Sequence, residues 1–267
     1  MISIKTGEEI KVLREGGKRL AGILAEVVEA AKEGVSTLEL DRLAESLIFK
    51  SGGTPSFKGY RLKETKIPYP GSLCVSVNAE VVHSIPRADK ILKEGDVVGL
   101  DIGMQYPGKW QKADGKWRDG LFTDMAVTVG IGKISKEAER LIKATKEALD
   151  SGIYAVRPGA HVGDIGYAVQ KHLEKNKLGI IRDLAGHGVG YEVHEEPFIP
   201  NYGKAGQGPE LKEGMVLAIE PMATLGDWRV ELQDDEWTFR TADGSMSAHF
   251  EHTVAVTDKG VEVITLP

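Results

Sequence analysis

Residues 92–101 read LKEGDVVGLD, and residues 211–220 read LKEGMVLAIE. Overlaid, they align Asp101 with Glu220 at the end of an apolar run. Two further matches flank this pair in the same order. TDMAVTVG from Thr123 resembles FEHTVAVT from Phe250, which aligns Asp124 with Glu251. KEGVSTLELDRLAESL from Lys32 resembles RPGAHVGDIGYAVQKHL from Arg157. The repeat length, near 120 residues, is far above the roughly 20–50 of a solenoid. It predicts two related halves, 1–132 and 133–267, packed about a pseudo-twofold axis within one domain spanning 1–267.

Local patterns agree. Ile10, Leu13, Leu20, Ile23, Leu24, Val27 and Val28 recur at helical spacing and predict a helix within 7–32. Ser36-Thr37 followed by Glu39 is a helix-start signal, and that helix runs to Phe49 before Gly52-Gly53. Ser135 to Tyr154 and Val162 to Lys175 repeat the helix pair in the second half. The short β-branched runs Val97–Ile102, Ala126–Val129, Val216–Ile219 and Val254–Val256 predict strands. Asp114-Gly115 and Asp243-Gly244 predict one hairpin turn in each half. Helices grouped beside antiparallel hairpins give an α+β class, an antiparallel sheet with helices on one face.

The 267 residues are enough to bury roughly 70–75% of the unfolded surface without staples. With 41% apolar and 28% charged residues, disorder, collagen and coiled coil are excluded for the whole chain. A net charge of -6 removes any long-range pull toward nucleic acid or anionic membrane. A single cysteine, Cys74, cannot close an internal disulfide, which suits a reducing compartment. No secretory signal and no apolar run of roughly 18–20 residues is read, so the expected location is cytoplasmic.

Four carboxylates need an explanation. Asp101 follows VVGL, Glu220 follows VLAI, Asp124 precedes MAVTV, and Glu251 sits between HF and HTVAV. A carboxylate in a buried strand is costly unless paired. The duplication brings Asp101 toward Glu220 and Asp124 toward Glu251. Four converging negative charges are balanced by two divalent cations. Hard oxygen ligands with one imidazole suit manganese, iron, cobalt or zinc, with no choice among them. The imidazole candidate is His187 in GHGVG, whose glycines permit close backbone approach. His194 in HEEP, His83 in VVHSIP, and His249 and His252 beside Glu251 complete the notable histidines; His161 and His172 are read as surface. GHGVG does not continue as a dinucleotide-binding glycine pattern, and HEEP is not the H-E-x-x-H of a mononuclear zinc peptidase. Cys74, in the alternating run LCVSVN, is read as a pocket or core residue rather than a nucleophile.

The ordered motifs VHSIP, LDIG, TDMA, GHGVGYEVHEEP, AIEPM and FEHT span about residues 5 to 260 and resemble type I methionine aminopeptidase of peptidase family M24. The resemblance implies the pita-bread fold with two metals in a central cleft, in its minimal bacterial form. It implies Asp101, Asp124, His187, Glu220 and Glu251 as the five metal ligands. Asp124 and Glu251 would bridge, Asp101 would complete one metal, and His187 with Glu220 the other. The implied activity is removal of the initiator methionine from nascent polypeptides with a small second residue, by a hydroxide held between two metals. Glu220 would shuttle the proton, His194 would hydrogen-bond the scissile carbonyl, and His83 would contact the scissile amide or second residue. Cys74, Tyr69 and Trp237 would wall the methionine pocket.

Two departures from the family pattern stand out. Asp101 and Asp124 are 23 positions apart, about twice the usual gap, with the excess in Gln105–Gly120; this predicts a longer hairpin over the cleft edge. Val193 stands where an aromatic is common, which predicts a wider pocket there. Expected partners are nascent chain N-termini, with ribosome docking expected from the activity alone, no nucleic-acid motif, no membrane, and a monomer as the default. Two rival readings share the fold: an X-Pro aminopeptidase or prolidase, whose members usually carry a large extra N-terminal domain, and a non-catalytic protein- or RNA-binding adaptor, which would have lost ligands.

Overall fold

The computed structural model describes residues 1–61 and 65–267. In chain order the elements are α1 (Gly7–Ala30), α2 (Thr37–Lys50), β1 (Thr54–Pro55), β2 (Leu73–Val77), β3 (Glu80–Val82), β4 (Val97–Gln111), β5 (Trp117–Gly130), α3 (Lys136–Tyr154) and α4 (Val162–Lys175). There follow β6 (Gly179–Ile180), β7 (Ala185–Gly188), β8 (Glu195–Pro200), β9 (Val216–Ile219), β10 (Met222–Thr224), β11 (Val230–Leu232), β12 (Phe239–Thr241), β13 (Ser247–His249), β14 (Glu251–Thr257) and β15 (Gly260–Val263). Both helices of the first half begin with reciprocal caps. Thr6 and Glu9 close the start of α1, and Ser36 and Glu39 that of α2. In the second half Ser135 accepts the Ala138 N–H at 3.1 Å to open α3.

The main sheet has the order β1-β4-β5-β14-β9-β7-β8, with β2 also paired to β4 and β15 to β14. Its ladders are antiparallel. The two halves meet at β5 and β14, where only Glu251↔Ala126 and His252↔Met125 are in register. Threonine hydroxyls extend that seam. Thr253 Oγ1 accepts the Asp124 N–H at 3.0 Å and donates to the Asp124 carbonyl at 2.7 Å. Thr128 Oγ1 does the same for His249, at 2.9 and 2.7 Å.

Strand parity sorts the side chains. Residues directly opposite in an antiparallel ladder share a face, as do residues two apart. Leu100, Ile102 and Met125 therefore face away from Asp101 and Asp124. They pack against Leu20, Leu24 and Val27 of α1 and Leu40 and Ile48 of α2. Across the seam Leu217, Ile219 and Val254 do the same against Leu149 and Ile153 of α3 and Ile165 of α4. The helices thus cover one face, and the sheet's other face is left for the site.

Two sequence expectations are corrected. Asp243-Gly244 does not turn a hairpin: β12 pairs with β11 and β3, while β13 pairs with β10. The Asp243 carboxylate instead accepts the Asp227 and Ser245 N–H groups, so the chain turns from one three-stranded sheet into the other. The excess between Asp101 and Asp124 does form a long arm, β4 and β5 continuing outward as a pair, closed at Lys112–Lys116 around Asp114-Gly115. This arm lies along α1, not over the cleft. Tyr106 abuts Gly16, the Arg19 guanidinium sits 4.8 Å over the Tyr106 ring, and Lys112 pairs with Glu9 at 2.6 Å. Among the described residues no helix is long and apolar enough to cross a membrane.

Candidate metal and peptide site

The ligand candidates share one sheet face because of register. Asp101 lies opposite Ala126, and Asp124 opposite Gly103, so both point the same way. Glu251 also lies opposite Ala126, from the other side. His187 lies opposite Ala218, which lies opposite Thr253 and is two residues before Glu220. Cys74, opposite Asp101, belongs to this face too. His187 reaches its position because Gly186 and Gly188 flank it: a Cβ on either would come 2.4 and 2.3 Å from the carbonyl oxygens of Ala218 and Glu196.

Ligand atoms of Asp124, His187 and Glu251 lie within 4.8 Å of one another. His187 Nε2 is 3.6 Å from Glu220 Oε1, and His249 Nε2 is 3.3 Å from Glu220 Oε2. Asp101 and Asp124 share a side-chain contact. All five sequence-predicted ligands line one cavity, together with Phe57, Tyr60, Tyr69, Cys74, His83, His194 and Trp237. Every predicted site residue is therefore in this cavity, and none of residues 105–120 lines it.

Charge in this place is out of balance. Burial pushes Asp101 up to about 7, with the Glu220 charge adding and His249 opposing. Burial, then the neighbouring carboxylates, holds Asp124 and Glu251 well above the ordinary carboxylate range. Glu220 is raised by burial despite His249. Burial lowers His187 to about 3, reinforced by the other histidines, so its ring is neutral and able to ligate. Burial works downward on His249 as well, but the Glu220 carboxylate outweighs it and holds His249 above the usual histidine value. Asp101 Oδ1, Asp124 Oδ1 and Glu251 Oε1 are buried with no hydrogen-bond partner among the described residues. Buried carboxylate oxygens without partners are costly, and divalent cations are what such a donor set fits.

Beside the carboxylates the walls are apolar. Phe57, Tyr69, Cys74, Val193 and Trp237 form one buried cluster, with Tyr60 and Phe122 packed against it. The Tyr69 ring meets Trp237 edge-on at 5.3 Å and Phe57 at 6.4 Å. Its hydroxyl donates toward the Leu73 and Ser84 carbonyls, at 3.1 and 2.9 Å, leaving an apolar surface toward the cavity. The Cys74 thiol is pushed well above its ordinary range by burial and by Asp101, so it is a neutral wall and not a nucleophile. Val193 is 6% exposed and belongs to this wall.

The histidines near the opening are held differently. His83 is half-buried at φ +58°, a backbone region that non-glycine residues rarely occupy and that concentrates at functional sites. Its Nδ1 has no partner among the described residues. His194 Nδ1 is 2.7 Å from the Tyr60 hydroxyl, and its ring stacks edge-on with His187 at 4.4 Å. Burial lowers His83 to about 3 and His194 to about 4, so both are neutral at pH 7. Two cavity residues, Phe57 and Tyr60, escaped the sequence reading, as did the contact of His249 with Glu220. Phe57 and Tyr60 lie in a segment without periodicity. His249 was visible only as a neighbour of Glu251.

Residues 11–258 match the sequence profile of metallopeptidase family M24. The chain is 44% identical to a methionine aminopeptidase of Clostridium acetobutylicum, over 100% of this chain and 99% of that one. It is 41% identical to methionine aminopeptidase 1 of Bacillus subtilis, over 99% of each. The crystal structure of a methionine aminopeptidase from Thermotoga maritima superposes over all of both chains with a TM-score of 0.91 at 41% identity. A prolidase from Pyrococcus furiosus shares the pita-bread fold, with a TM-score of 0.74 and 22% identity, but only 65% of that chain is covered.

Proposed function

The chain belongs to metallopeptidase family M24, and from that premise we propose how its residues perform metal-dependent removal of N-terminal methionine. The enzyme is a metallo-exopeptidase, similar along its whole length to chains named methionine aminopeptidase. The observation supporting the detailed reading is that Asp101, Asp124, His187, Glu220 and Glu251 line one face of an apolar, aromatic-walled cavity.

Asp124 and Glu251, at the seam, would hold two divalent cations in common; Asp101 would complete one, and His187 with Glu220 the other. When bound, the cations would supply Lewis-acid chemistry, lowering the pKa of a water and neutralising the carboxylates. Phe57, Tyr69, Cys74 and Trp237 would take the methionine side chain. Thioether sulfur packs well on ring edges and soft side chains. The Tyr60 hydroxyl donates to His194 Nδ1 in the tautomer this reading requires, which leaves Nε2–H to donate to the scissile carbonyl oxygen. His83, held in its left-handed conformation, would contact the scissile amide or the second residue. Glu220, whose Oε2 lies 3.3 Å from His249 Nε2, would take the proton of the attacking water and deliver it to the leaving amine. Substrates would be nascent polypeptides with a small second residue.

The test compares methionine release from Met-Ala-Ser with cleavage of Ala-Pro peptides, in manganese, iron, cobalt and zinc separately. Release from Met-Ala-Ser with two bound metal equivalents is expected. Preferential cleavage at proline would overturn the substrate assignment. Unchanged turnover in Glu220→Ala would overturn its proton role.

A further inference from the structure

The arm formed by the outer parts of β4 and β5 lines no part of the cavity, yet it is tied to the loop that carries His194. That loop joins β7 to β8 over residues 189–194, with His194 at its end. Its backbone is pinned at the arm's base, where the Phe122 N–H donates to the Gly190 carbonyl at 2.8 Å. Glu195, next to His194, folds the loop back: its Oε1 accepts the Tyr191 N–H at 2.5 Å and the Glu192 N–H at 3.1 Å. Its Oε2 pairs with Lys5 Nζ at 2.8 Å; the Lys5 side chain is 1% exposed, with Nζ 5.0 Å from the Tyr191 ring centre. The Lys5 stem needs Gly190, since a Cβ there would come 2.4 Å from Lys5 Cε.

The outer end of the arm reaches the same loop through one carboxylate. Glu9 pairs with Lys112 at 2.6 Å, with side chains 6% and 18% exposed, and lines one recess with Tyr191 and with Trp110, Arg118 and Asp119 of the arm. Its other oxygen caps α1 at Thr6. A hairpin that merely padded α1 would not need to converge on the carboxylate that sits beside Tyr191.

We propose that the β4–β5 arm is a positioning device for His194, acting through Lys112, Glu9 and Tyr191 on the Gly190–His194 loop. The inference rests on the reading of His194 as the group that contacts the scissile carbonyl. Misplacing such a group by about 1 Å costs up to roughly 100-fold in rate. These are positioning residues; none touches the reacting atoms.

The experiment measures kcat and KM for methionine release from Met-Ala-Ser, with bound metal and melting temperature, in Lys112→Met, Lys112→Arg, Tyr191→Phe, His194→Ala and the double variant Lys112→Met/His194→Ala. Lys112→Met is expected to lower kcat about 10-fold with KM and metal equivalents unchanged. Lys112→Arg restores kcat to within about threefold, and Tyr191→Phe, which removes one hydroxyl, repeats the loss if Lys112→Met folds poorly. In the His194→Ala background Lys112→Met costs nothing further, because the group it positions is gone. An equal loss in both backgrounds, or wild-type kcat in both Lys112→Met and Tyr191→Phe, would overturn the inference while leaving the catalytic reading intact. Full turnover in His194→Ala would overturn that reading, and the inference with it.

Discussion

The two halves of the molecule use one plan to different ends. In the first, the acid-bearing strands β4 and β5 form a single hairpin closed by a five-residue loop. In the second, β9 and β14 are parted by the segment holding β10 to β13, which builds two small sheets with β6 and β3. That segment brings Trp237 to the pocket and His249 to Glu220. The strands that pair outside the acids also differ. β7 places His187 opposite Ala218, two residues before Glu220. β2 places Ser76 opposite Gly99, two residues before Asp101. So one end of the site has carboxylates alone, and the other has a carboxylate and an imidazole. Symmetry supplies the acidic centre; departures from symmetry supply orientation and selectivity.

The comparison breaks first at the seam. Asp124→Asn and Glu251→Gln are each expected to abolish binding of both metal equivalents and to cut turnover by about 1,000-fold or more, roughly 4 kcal/mol of transition-state stabilisation. Retention of one full equivalent in either would show that the two residues do not serve both cations. Next, His187→Ala is expected to remove one equivalent, whereas Ser76→Ala leaves both in place; equal losses in a metal titration would erase the difference between the halves. His194→Ala is expected to lower kcat about 100- to 1,000-fold with little change in KM.

Metal removal gives a smaller, graded effect. The folded chain holds Asp101 at about 7, and Asp124, Glu220 and Glu251 above the carboxylate range, by burial. A raised folded value makes the folded chain bind more protons than the unfolded one, so stability falls as pH rises through that window. His83, His187 and His194 act oppositely, since their values are lowered by burial, but their contribution is complete above 6.5. The melting temperature of metal-free protein should therefore fall from about pH 6.5 to 8, and saturating divalent cation should abolish the fall. A rise over that range would contradict the charge balance described here. Smallest of all, Ser36→Ala should cost about 1 kcal/mol in denaturant unfolding, through loss of the reciprocal cap with Glu39.

Much of this was legible in the sequence because burial and charge conflict there. Asp101, Asp124, Glu220 and Glu251 stand out against β-branched neighbours, and the helix starts at Ser36 and Ser135 carry local capping chemistry. Tyr60 and Phe57 gave no such signal, since they sit in irregular chain whose only order comes from tertiary contact. The strand ends misled as well. β4 and β5 run far beyond Ile102 and before Ala126 because α1 supports the arm, a contact no local pattern announces. Asp243-Gly244 has the composition of a hairpin turn, but its flanking strands find other partners.

The position of β14 has a consequence for how a cell makes this enzyme. A ribosome builds chains from the amino end, so Glu251 emerges after the other four candidate ligands. A partly synthesised copy holds the aspartates, His187 and Glu220 but lacks the strand that joins the halves. On the proposed ligand set, hydrolytic power is thereby withheld until β14 has been made, so copies lacking that strand have no means of trimming their neighbours.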